Sequence, residues 1–353
     1  LMDDNNDKRQ VKYKLIELFL IENNVDKEFQ SYLKPLDFVQ KVFFYPKYQI
    51  QDNFITPNGY VVNTMSFILT CVYASVSMLR VSRVNETRSN QSTSDREIST
   101  IFLIFRFLSL VIYCAGFVTN FISNIVNSGN SVNLVLKIQK VIKIIRDNDA
   151  YFGNHVFFNY FFTLLVFFGF TFFFVSLHFY FQNLNILECV DDFIFVYFDL
   201  NFLYAIRIMT LMRYNLLQWV EKMKLCKRLV REERELRLTA LCEAYIESLE
   251  SYRLYVEVFQ DSVSLKMTIL GFCIFYGWLL KNLILISILG VETEKFYIVL
   301  ENSQLLTNMR RLYRSYFSKA SARGLFYIDA TLPLQLTSLI TTYVIVLLQF
   351  AFL

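Results

Sequence analysis

The chain has 353 residues, 55% hydrophobic and 17% aromatic, a formal net charge of +4 and a mean hydropathy of +0.37. These values exclude an ordinary soluble domain, and basic residues gathered beside apolar runs suit juxtamembrane loops rather than a nucleic-acid surface. Thirty-seven Phe and 22 Tyr against 9 Gly and 4 Pro predict long helices with few breaks, hence an all-α, polytopic membrane protein.

Six cysteines (Cys71, Cys114, Cys189, Cys226, Cys242, Cys273) have no metal-ligand spacing, and His155 and His178 are too far apart to suggest a ligand pair. No metal or other cofactor is expected, and the nucleotide-binding, nucleophile-elbow and zinc-protease signatures of enzymes are absent. The chain starts at Leu1, as a fragment would, and carries no secretory signal peptide; the first span is expected to do the targeting.

Residues 1–59 are polar with short apolar runs, punctuated by Pro35, Pro46 and Pro57, and read as a cytoplasmic amino-terminal region of short helices. Region 60–289 carries the spans. Val61–Leu79 is the first. The polar loop after it holds the glycosylation sequons at Asn85 and Asn90, which place it outside.

Ile101–Val126 is the second span. An amphipathic stretch follows with Lys137, Lys140, Lys143 and Arg146 three residues apart, a basic stripe suited to anionic membrane lipids. Phe157–Phe181 is the third span. The loop after it has Glu188, Asp191 and Asp192 without Lys or Arg, so it lies outside.

Phe193–Met212 is the fourth span and contains Asp199 and Arg207. Two turns apart on one helix, they cannot pair with each other, and each is near enough to a membrane end for snorkelling. A sharper expectation places His178, Phe181, Tyr197 and Asp199 in an aromatic ligand pocket.

A charged cytoplasmic helical extension covers 213–262. Within it Leu238, Leu241, Tyr245, Leu249, Tyr252, Val256 and Phe259 form a heptad-like seam, read equally as a packed helix face or a contact between subunits. Val263–Leu289, with Lys266 and Lys281, is the fifth span, and 290–331 reads as a cytoplasmic anchor segment with Arg310, Arg311, Arg314, Lys319 and Arg323. A single crossing over Val263–Leu289 would leave that basic cluster outside, against the positive-inside rule. The apolar part of 252–289 is too short for two crossings of about 20 residues each, so the reading favours a missing or truncated helix.

The final stretch, 332–353, is uncharged and long enough to span, and is the sixth. It carries Thr342 and Tyr343, five apolar residues including Val346, then Gln349 and Phe350. On a helical period Thr342, Val346 and Gln349 share one stripe, while Tyr343 and Phe350 lie on the next. An amide facing lipid is costly, so Gln349 is expected to meet water or another helix.

This Thr-Tyr…Gln-Phe pattern, with Gly324-Leu325-Phe326-Tyr327-Ile328-Asp329 and Leu332-Pro333-Leu334 upstream, resembles the carboxy-terminal signature of insect gustatory receptors, moth-type. The resemblance implies seven transmembrane helices with a cytoplasmic amino terminus, one more than the six seen. It implies a tastant-gated, non-selective cation channel, a homo- or heterotetramer in the plasma membrane of gustatory neurons. The last helix would line the pore, with Thr342, Tyr343, Val346, Gln349 and Phe350 at the pore or gate. The expected ligand is a small tastant such as a bitter plant compound. The alternatives weighed are a G-protein-coupled seven-helix receptor, which needs an outside amino terminus, and a secondary transporter, which should show internal repeats.

Overall fold

The computed structural model describes residues 23–88, 96–145, 152–169, 186–226, 231–271, 276–303, 317–322 and 326–352, with single positions 172, 176, 228 and 324. Among the described residues the fold is all-α, built from nine helices and two small hairpins. The helices are α1 (Lys27–Val42), α2 (Tyr60–Arg88), α3 (Arg96–Val126), α4 (Ser128–Ile145), α5 (Phe152–Leu164), α6 (Ile186–Cys226), α7 (Arg231–Gly271), α8 (Tyr276–Asn302) and α9 (Leu332–Phe352). A π-helical turn, Leu165–Gly169, extends α5.

Between α1 and α2, strands β1 (Gln49–Gln51) and β2 (Phe54–Thr56) pair antiparallel around Asp52 and Asn53. Both turn residues take positive φ, 51° and 69°, as the tight hairpin turn that matches strand twist requires; short Asx side chains tolerate it. Strands β3 (Ser321–Ala322) and β4 (Phe326–Tyr327) form the second hairpin, with Gly324 at φ 77° in its turn.

Helices α6 and α7 each have 41 residues, about 60 Å at 1.5 Å per residue, and so exceed the roughly 30 Å hydrocarbon core of a bilayer. They are antiparallel: the ring of Trp219 packs against Tyr245 at one level and that of Tyr204 against Phe259 at another. Residues 23–59 are not a separate unit, because α1 packs on α5 and α6, with the Tyr32 hydroxyl donating to the Arg207 carbonyl at 2.8 Å.

The heptad-like seam is spent inside the chain. Leu241, Tyr245, Leu249, Tyr252 and Phe259 are buried in the main core, with Leu238 and Val256 packed against it. The basic stripe of α4 lies at the edge of the α4–α7 contact, with Lys140 and Lys143 exposed and Lys137 half-buried. Lys137 reaches Glu247 at 2.7 Å and Glu250 at 2.5 Å, and Lys140 reaches Glu243 and Glu247 at 2.8 and 2.7 Å. Arg146 lies outside the described residues.

Three helices are built inside out. On α2, Ser66 and Thr70 are buried while Phe67 is 53% exposed; on α3, Asn120 and Ser123 are buried while Ile122 is 52% exposed. On α5, Asn159 and Thr163 are buried and Phe157 is 66% exposed. Among the described residues no single helix is long and apolar enough to cross a membrane. One pair, Leu110–Val126 with Ser128–Ile145, passes that test together across a 61° bend.

Candidate functional site

The stretch expected to be one span, Val263–Leu289, is instead the meeting of α7 and α8. Lys266 and Lys281 would stand about 22 Å apart on one straight helix. Here Lys266 Nζ donates to Asp199 Oδ1 and Lys281 Nζ to Asp199 Oδ2. The chain therefore reverses between them. Further from the tip, Tyr252 of α7 meets Tyr297 of α8 at 3.0 Å between hydroxyls, and Tyr245 meets Ser303 at 3.3 Å. Position numbers falling on one helix as they rise on the other define an antiparallel hairpin. Helix α8 then runs parallel to α6, where Arg213 Nε and Glu292 Oε2 are 3.0 Å apart.

Asp199, Lys266 and Lys281 are all buried. A lone buried carboxylate would be very costly, and two ammonium partners on two further helices compensate it. Asp199 therefore does not snorkel. Arg207 does not either: its Nε donates to Asn159 Oδ1 of α5, and its guanidinium lies over the Phe162 ring, 5.7 Å from the centroid. As expected, Asp199 and Arg207 have separate partners. The clue to the charge cluster was an acid in one apolar segment and two lysines in the next.

Tyr197 and Asp199 do not share a pocket. Two residues apart on a helix, they point to different sides. Tyr197 faces the chain leaving α1, with ring centroids 4.7 Å from Tyr45 and 5.7 Å from Phe43. The Tyr45 hydroxyl pairs with Thr70 Oγ1 at 2.6 Å. Phe117 of α3 joins the wall, 4.9 Å from Phe198. Tyr197 Oη and Asn201 Nδ2, one turn apart on α6, are buried without a well-formed hydrogen bond, as is Asn120 Nδ2 on α3. Asn124 and Asn201 are close enough to Tyr197 Oη to interact with it, yet neither meets hydrogen-bond geometry. His178 and Phe181 lie outside the described residues, as does Asn90; the Asn85 backbone belongs to the end of α2.

The approach to α9 is tied to the hairpin. The Ala320 N–H is shared between the hydroxyls of Tyr252 and Tyr297, at 2.8 and 2.9 Å. Asp329 Oδ1 accepts from the Thr331 N–H and hydroxyl at 2.9 and 2.6 Å, turning the chain into α9. The Asp329 carbonyl lies so close to Gly290 of α8 that a Cβ there would come within 2.5 Å of its oxygen.

Leu332 and Leu336 are buried and Ile340 packs against the core, while on the other side of the helix Leu334, Ser338, Leu339, Thr341, Thr342 and Ile345 are exposed. The hydroxyls of Thr337, Thr341 and Thr342 bond to carbonyls four residues earlier at 2.7 to 2.9 Å, so none needs a further partner. Positions 343, 346, 349 and 350 are helical, and their side chains lie outside the described residues.

Compared with known protein families and with characterised proteins, the sequence matches no family model and no curated protein.

Proposed function

We propose that the chain is a polytopic plasma-membrane chemoreceptor of the insect gustatory type, a tastant-gated, non-selective cation channel in which four copies place α9 around the ion path. The observation that carries this reading is the uncovered side of α9, from Leu334 to Ile345, opposite the line of Leu332, Leu336 and Ile340 that packs on its own chain. A helix bearing Ser338, Thr341 and Thr342 beside Leu339 and Ile345 suits neighbours of its own kind and water on one side. The carboxy-terminal motif points the same way.

The inside-out helices α2, α3 and α5 support a lipid environment, because apolar side chains turned outward with hydroxyls and amides turned inward reverse the pattern of a water-soluble bundle. The α7–α8 hairpin supports seven membrane-associated helices (α2, α3, α5, α6, α7, α8 and α9) instead of six. It also returns the chain to the side it came from. The cluster from Arg310 to Arg323 then shares the cytoplasmic face with the 213–253 extension, as the positive-inside rule asks. Ligand binding near Tyr197 would reach α9 through α6, the Asp199 cluster and α8.

The test is current recording from cells expressing the chain, alone and with partner subunits, against a tastant panel. Ligand-evoked cation currents carried by the chain support the reading. Ligand responses that need a G protein and involve no conductance of the chain's own would oppose it.

A further inference from the structure

We propose that a second copy of this chain covers the outer seam of α8, which runs from Ile284 to Ile298. The inference deepens the receptor reading and rests on it for the membrane level and the number of copies, while association itself can be read without any current.

Helix α8 has two apolar sides. Leu285, Ile286, Leu289, Phe296, Tyr297 and Leu300 are buried in the main core. On the opposite side Ile284, Ile288, Val291 and Ile298 are 41% to 50% exposed, and the Lys295 side chain is 51% exposed. These five positions follow one another in steps of four, three, four and three. That is the repeat by which a helix keeps one line turned toward a partner helix, and here the line faces away from its own chain.

Lipid accounts for only part of this seam. Arg213 of α6 and Glu292 of α8 lie 3.0 Å apart, and Glu294, Lys295 and Glu301 follow on α8. On the receptor reading these charges mark the inner edge of the hydrocarbon. Ile298 lies about 9 Å beyond Glu292 along the helix, so its half-exposed side chain has neither hydrocarbon nor core around it. The seam runs straight across that edge for about 21 Å. A helix of another protein chain can cover all of it, and acyl chains cannot.

The make-up of the seam selects the occupant. In heptad terms Ile284, Val291 and Ile298 take d positions, and Ile288 and Lys295 take a positions. Isoleucine at both positions favours three or four strands over two, and a lone lysine at an a position fixes register and copy number at a cost in affinity. The seam is also continuous with the surface proposed to gather four copies. Helix α9 is seated beside α8, where the Asp329 carbonyl approaches Gly290. Copies drawn together along α9 therefore bring their α8 seams within reach of one another.

The experiment uses the full chain purified in detergent and reads its mass by light scattering as the protein is diluted. The wild-type chain is expected to be a multimer. Ile298→Glu, which puts a charge into the seam, should need about tenfold more protein to assemble, with its helical circular dichroism unchanged. Lys295→Ile, which removes the polar break, should hold the assembly together at about tenfold lower concentration; the exposed pair it gives up with Glu292 contributes little. A monomeric wild-type chain, or a multimer whose dilution behaviour neither substitution alters, overturns the proposal. A multimer that responds to both substitutions but passes no current sinks the channel reading and leaves the seam standing. Ligand-evoked currents from a multimer indifferent to both do the reverse.

Discussion

Lys266 and Lys281, 15 residues apart in the chain, meet on the one carboxylate of Asp199. This joins three helices at a single buried point and makes α7 and α8 a hairpin. Asp199→Asn would leave two ammonium groups buried against a neutral amide. A loss of about 3–5 kcal/mol is expected, the range for removing one partner of a buried ion pair. Chemical unfolding of the purified protein measures it. In the Asp199→Asn background Lys266→Met should restore part of the loss, and additive costs would mean that the two groups do not interact.

Gly290 is where the hairpin touches the approach to α9. Gly290→Ala places a methyl within 2.5 Å of the Asp329 carbonyl oxygen, so the chain around 329 must shift. The expected cost is about 1–3 kcal/mol, the range for overpacking, with a displaced midpoint for ligand-evoked current. Unchanged stability and an unchanged dose–response curve would show that the approach to α9 is free to move.

The helical class and the packed face of α7 were legible in the sequence, because apolar spacing is a local signal. The hairpin was not. From Val263 to Leu289 the sequence is mostly apolar, and no proline marks the reversal. The two lysines looked like interruptions of one span, when they were the two arms of a charge cluster around Asp199. The ion pairs of the basic stripe on α4 were not legible either. Its amines are answered by Glu243, Glu247 and Glu250 more than 100 positions away, a pairing that no local pattern announces. The ring of Tyr197 was legible, but its neighbours Asn124 and Asn201 were not, because which amides meet a buried phenol is a property of packing.

The α4–α7 ion pairs predict an acid-sensitive joint. Burial opposes ionisation of Glu247, but hydrogen bonds from Lys137 and Lys140 outweigh it and hold the carboxyl below its ordinary value of 4.5. A depressed carboxylate stabilises the fold fully above its unfolded value and loses that contribution as pH falls through the folded value. Stability should therefore decline below about pH 4.5, by roughly 0.2–1 kcal/mol per pair given the partial exposure of both lysines. Glu247→Gln should flatten the decline. Parallel pH profiles for the two proteins would contradict the assignment.

The central claim is that α9 borders water in the assembled protein, and cysteine accessibility tests it most directly. Thr342→Cys, Ile345→Cys and Gln349→Cys, in a background without reactive native thiols, are exposed to a charged thiol reagent during ligand-evoked current. The account predicts loss of current at Thr342→Cys and Gln349→Cys, and none at Leu336→Cys, which is buried against its own chain. Undiminished current at every position of α9 would contradict it.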